Sequence, residues 1–178
     1  MALASCQSTG RIEVAGLFPS ESATSTDISA INDGNNSAIV DHVYRYEDVR
    51  LVGDRSLRFQ SNRTDHSKYH SSYGVIRSQR VVKFTADLMR MKSITEEPQR
   101  MAVPDTDTSV TYKATWYVTL MGEPGAVRDE ESYNSHPLSI NFPDVFPDGR
   151  GPMIYFNSKA EALAFRDRWN NLLRKVQG

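Results

Sequence analysis

Six cations crowd one stretch of the chain: Arg55, Arg58, Arg63, Lys68, Arg77 and Arg80 flank a polar segment around His66 and His70. Guanidinium forks and ammonium groups gathered at strand ends and loops can hold a multiply charged anion through charge-assisted, often bidentate, hydrogen bonds. These six are therefore the candidate ligand-binding residues, and the competing reading is that they are solvated strand faces. The surrounding charge is uneven. Residues 41–100 carry 12 Lys+Arg and 8 Asp+Glu, a balance of +4, whereas residues 101–150 carry 3 and 8, a balance of -5.

Other groupings carry less chemistry. His66 and His70 are four apart and would share a helix face fit for a metal, but Ser, Asn, Thr and Gly around them read as a loop. Asp65 is the nearest third ligand, so no metal site is expected. His42 and His136 stand alone. There is no nucleophile elbow, phosphate-cradling glycine loop or zinc-protease helix. The carboxylate runs Glu96-Glu97 and Asp129-Glu130-Glu131 read as solvated charges. The expectation is a protein with no catalytic residues and no cofactor. The single Cys6 excludes an intramolecular disulfide and a cysteine zinc site. Leu3-Ala4-Ser5-Cys6 resembles a bacterial lipobox, without the charged and apolar regions of a signal peptide before it. The alternative role is thus a periplasmic envelope lipoprotein tethered through Cys6, if a signal sequence lies upstream; the expected location is otherwise cytoplasmic.

With 178 residues, the chain fits one domain with a tail, able to bury roughly two-thirds of its unfolded surface. A net charge of -1 excludes a dedicated nucleic-acid binder, whose domain would be basic. No apolar run approaches the ~18 residues of a membrane helix. Ser20–Asn36 is rich in Ser, Thr, Asp and Asn and cannot offset its ordering entropy by burial, so residues 1–40 are expected to be a disordered or extended tail. Ile12, Val14 and Leu17 leave a short strand over Arg11–Phe18 open.

Residues 41–178 form the expected domain. Val43–Leu51 and Ser56–Gln60 alternate as half-buried strands around a turn at Gly53-Asp54. Tyr73–Ile76 is a weaker strand. Val81–Met91 reads as a long strand, with a helix over Ala86–Ile94 as its competitor. Thr108–Met121 is β-branched and aromatic throughout, and Leu138–Phe142 and Met153–Phe156 follow. Ser158-Lys159-Ala160-Glu161 then has the form of a capping box. Ala162, Phe165, Trp169, Leu172, Leu173 and Val176 recur at helical spacing, with Arg174 and Lys175 suited to the negative end of the dipole. The fold class is α+β: about seven antiparallel strands in a bent sheet or partly open barrel, capped by one C-terminal amphipathic helix. Strands in succession without alternating helices exclude a doubly wound parallel sheet.

The last strand and helix, Met153–Glu161 followed by Trp169, resemble the end of a pleckstrin-homology (PH)-like domain, in which seven antiparallel strands bend round and one C-terminal helix closes an open end. The specific likeness covers residues 153–177. The resemblance implies a non-catalytic binding or adaptor module whose partner is a protein or peptide, added as a strand beside the helix. It also implies an anionic lipid headgroup, such as a phosphoinositide at a membrane surface, as a further ligand. The lysine-then-arginine pairing of lipid-binding relatives is not matched here.

Overall fold

In a computed structural model, the structure describes residues 12–29, 37–67, 77–101, 115–133, 136–138 and 149–178. Ten strands and one helix lie among them. One sheet runs β1 (Glu21–Ser29), β2 (Ser37–Val52), β3 (Ser56–Ser67), β4 (Arg77–Asp87), β8 (Val127–Tyr133), β9 (His136–Leu138). The second runs β10 (Arg150–Phe156), β7 (Trp116–Gly122), then β5 (Met91–Lys92), with β6 (Gln99–Arg100) also on β7. Every pairing is antiparallel, both sheets are open, and the helix α1 (Lys159–Gln177) closes the chain. The α+β class, with antiparallel strands in open sheets and one C-terminal helix, is as the sequence reads; no closed barrel forms among the described residues.

The two sheets meet at a corner. β4 and β8 pair up to Ala86↔Val127, and β5 and β7 resume at Met91↔Gly122, so one ladder bends through two turns. Asp87 N donates to Ala126 O (2.8 Å) and Glu123 N to Arg90 O (2.9 Å), carrying backbone pairing round the bend. Arg90 adds an ion pair to Glu123 at 3.0 Å. Gly122 sits where a Cβ would meet Ala126 Cβ at 2.9 Å and Met91 Sδ at 3.0 Å. The long strand expected over Val81–Met91 is therefore β4 and β5 with a corner between them, and the competing helix does not form.

The core lies between the sheets and under α1. Leu57, Phe59, Phe84 and Ala86 point inward from the first sheet, Val118, Leu120, Ile154 and Phe156 from the second. Ala162, Phe165, Trp169 and Leu173 are fully buried beneath the helix. Its start is fixed as expected: Ser158 Oγ accepts from Glu161 N (3.2 Å), while Glu161 Oε2 reaches one residue further back, to Asn157 N (3.1 Å). The far end is pinned by Gln177, whose side-chain amide donates to Leu88 O (2.7 Å) and Met91 O (2.9 Å).

Within the expected tail, residues 21–29 and 37–40 are built into the first sheet, while residues 1–11 and 30–36 lie outside the described residues. Glu21–Ser29 pairs with β2 along its whole length, and Phe18 stacks on Phe59 with ring centroids 4.5 Å apart. The polar composition misleads because Ser22 and Thr24 are buried in a hydrogen-bonded sheet, where main-chain pairing supplies what the side chains lack. Ile12, Val14 and Leu17 make no strand; Leu17 N donates back to Val14 O (3.1 Å) in a turn. Tyr73–Ile76, residues 108–114 and residues 139–142 lie outside the described residues.

Candidate functional site

The six expected ligand-binding residues do not form one cluster. Arg58 lies on the outer face of the first sheet, away from the core. Arg63 and Arg80, opposite each other on β3 and β4, share the inner face. Arg55 is in the β2–β3 turn, where its carbonyl accepts from Leu88 N (2.7 Å). Arg77 opens β4 opposite His66, its side chain undescribed, and Lys68 and His70 lie outside the described residues. His66 is on a strand, so the helical spacing that would pair it with His70 does not apply. Among the described residues no three metal-ligating side chains come together.

Arg63 is used internally. Asp65, 6% exposed, accepts from Ser78 Oγ (2.6 Å) and shares a 2.6 Å contact with His42 Nδ1. Arg63 Nη2 donates to it at 3.1 Å, with Nε 2.9 Å from the other oxygen. His42, Asp65 and Ser78 occupy one row across β2, β3 and β4. Burial pushes the Asp65 carboxyl up, but the Ser78 and His42 hydrogen bonds and the Arg63 charge outweigh it and leave it below its ordinary value. In the next row Tyr44 stacks on Tyr155 at 4.3 Å, and burial raises both hydroxyls. The serine here donates to the aspartate rather than facing the histidine, so the trio lacks the geometry of an activated nucleophile.

The outer face holds a different arrangement. Register places Arg50 opposite Arg58, Arg58 opposite Thr85, and Thr85 opposite Arg128, one row across four strands. With strands about 4.8 Å apart, the arginines span roughly 14 Å. Lys83, opposite Glu130, stands in the adjoining row. A cleft of about 560 Å³ runs along these residues, with Asp48, Asp129 and Glu130 also in its lining. Arg50 meets Asp48 Oδ1 only at 3.6 Å, with both side chains more than half exposed. Arg58 and Arg128 make no ion pair among the described residues.

Two features set this row apart from an ordinary sheet face. The register of β2 slips between Glu47 and Arg50, and Asp48 in that bulge has φ of 57°, a left-handed backbone that only a few side chains tolerate. The bulge turns Val49 toward the core and Arg50 outward; bulges of this kind re-aim side chains beside sites. Like charges directly opposite on a sheet are also destabilising. Arg50 was in reach of sequence reasoning, because pairing outward from the Gly53-Asp54 turn brings it to Arg58. Arg128 was not, since Asp129-Glu130-Glu131 beside it reads as a run of solvated charges rather than as part of β8.

The edge beside the helix, where the resemblance implies an added strand, is held by the chain itself. β5 and β6 pair with the two ends of β7. Between them, Ile94 N donates to Asn170 Oδ1 (2.8 Å) and Asn170 Nδ2 to Ile94 O (3.0 Å), strapping the segment to α1. Glu97 pairs with Lys159 (3.1 Å) and Arg166 (3.0 Å), which hold its carboxyl below the ordinary value, the Lys159 hydrogen bond foremost. Cys6, on which the lipoprotein alternative rests, lies outside the described residues. No family model, curated protein or solved structure matches this chain.

Proposed function

We propose that this chain is a non-catalytic recognition module of PH-like architecture that binds an acidic segment of a protein partner on the outer face of its larger sheet. The observation that carries this reading is the row Arg50–Arg58–Thr85–Arg128, in which the Arg58 and Arg128 guanidinium groups make no ion pair among the described residues. Each presents a planar fork of donors suited to a carboxylate. The strand-addition mode is disfavoured by the strapped edge of β7, whereas the open sheet face needs no rearrangement.

A protein segment suits this face better than a lipid surface. The cleft sets four cations, Arg50, Arg58, Lys83 and Arg128, against two outward carboxylates, Asp48 and Glu130, since Asp129 is opposite the core-facing Phe84. Membrane attachment through charge needs several uncompensated cations, each contributing about 1 kcal/mol. Short-range hydrogen bonds to individual carboxylates work even where the net field is weak. Anisotropy titration of a labelled Asp/Glu-rich peptide against the full chain tests the reading. Saturable binding that drops roughly tenfold or more in an Arg58→Glu/Arg128→Glu variant is expected. Equal binding by that variant, or co-sedimentation with anionic vesicles in place of peptide binding, would overturn it.

A further inference from the structure

The outer face is not uniformly polar. Val52 follows Arg50 by two residues, so it points to the same side, one row or about 6.7 Å nearer the end of the sheet. It is 40% exposed, and Met89, just beyond β4, is 42% exposed. Leu88 N donates to Arg55 O at 2.7 Å, which draws the corner carrying Met89 against the β2–β3 turn that follows Val52. Of the three large apolar side chains exposed among the described residues, two thus sit at the end of the sheet bordering the arginine row.

We infer that the bound segment is amphipathic: acidic side chains lie along Arg50, Arg58 and Arg128, and an apolar side chain on the flank facing the end of the sheet packs over Val52 and Met89. This rests on the proposed reading of the arginine row and specifies its partner. Arginines fix the position of carboxylates but, fully solvated and screened, contribute little affinity each. Apolar area removed from water adds affinity that salt does not weaken. Setting the two chemistries one row apart gives the site a direction, because a segment running the opposite way along the row would turn its apolar flank toward Lys83 and Glu130. An anionic membrane plane fits less well, since Asp54 and Asp87 stand at the same end as the apolar pair.

The test uses the full chain and two labelled peptides of equal negative charge, one carrying a single leucine beside its acidic run and one with serine in that place. Binding of each is measured to the wild type, to Val52→Ser/Met89→Ser and to Arg58→Glu/Arg128→Glu, all exposed positions, with circular dichroism and melting curves confirming the fold. The leucine peptide is expected to bind the wild type about five- to tenfold more tightly than the serine peptide. That advantage is expected to persist at high salt and to vanish in Val52→Ser/Met89→Ser. Equal affinity for both peptides, or an advantage that survives in that variant, overturns the amphipathic segment and leaves acidic recognition standing. Loss of neither peptide in Arg58→Glu/Arg128→Glu overturns the arginine reading itself.

Discussion

Asp65 receives hydrogen bonds or ion contacts from His42, Arg63 and Ser78 while only 6% exposed, so both its oxygens are matched by donors. Removing it would leave a partly buried guanidinium and two polar side chains without their acceptor. Asp65→Ala is therefore expected to cost about 3–5 kcal/mol at neutral pH in urea unfolding. The pH dependence has a definite sign. Folding lowers the carboxyl from its ordinary 3.8, so the native state binds fewer protons than the unfolded chain in the acid range. The contribution is complete above the unfolded value and is lost as pH falls through the folded one. The stability gap between wild type and Asp65→Ala should narrow as pH is lowered below about 4; a gap unchanged at pH 3 would show that the carboxylate's charge does not matter. The sequence offered His42 as a lone histidine and Asp65 as a stray third ligand. Their pairing depends on a register running across 23 residues, which no local spacing reveals.

At the scale of elements, the corner and the helix make the sharpest demands. A methyl group at Gly122 would press on Ala126, Met91 and the Arg90 carbonyl at once, and two of these belong to opposite arms of the bend. Gly122→Ala is expected to cost about 1–3 kcal/mol by overpacking, read as a lowered melting temperature. Trp169 is fully buried, lies beside Phe165 at 6.1 Å and donates from Nε1 to Lys92 O (3.4 Å). Trp169→Ala is expected to cost about 3–5 kcal/mol; a melting temperature near wild type would mean the indole is not part of the core. The helix was readable from sequence because its cap, its apolar stripe and its terminal cations all agree locally. The β2–β3 hairpin was readable for the same reason. β1 and β8 were not: Glu21–Ser29 and Val127–Tyr133 are polar runs whose strand identity comes from neighbours, β2 and β4, far off in the chain. The corner was hidden too, because an apolar run from Val81 to Met91 looks the same whether it continues or turns.

For the molecule as a whole, the near-zero net charge conceals a sheet face on which like charges are set against each other. Arg50 and Arg58 are direct cross-strand partners, and Arg128 is one strand further from Arg58 beyond Thr85. A fold optimised for stability alone would alternate signs there, as Lys83 and Glu130 do in the next row. Sites built for binding commonly hold such unfavourable arrangements until a ligand relieves them. Arg58→Gln should therefore raise stability by roughly 0.2–0.5 kcal/mol at low ionic strength, by removing one repulsive partner without disturbing the inner face. Salt screens the repulsion in the wild type, so the gain should fade toward zero near 1 M, where the screening length is only about 3 Å. Urea midpoints of both proteins at two salt concentrations measure this. If Arg58→Gln is instead less stable at low salt, Arg58 contributes to folding, and the face is a structural surface rather than one held ready for a partner's carboxylates.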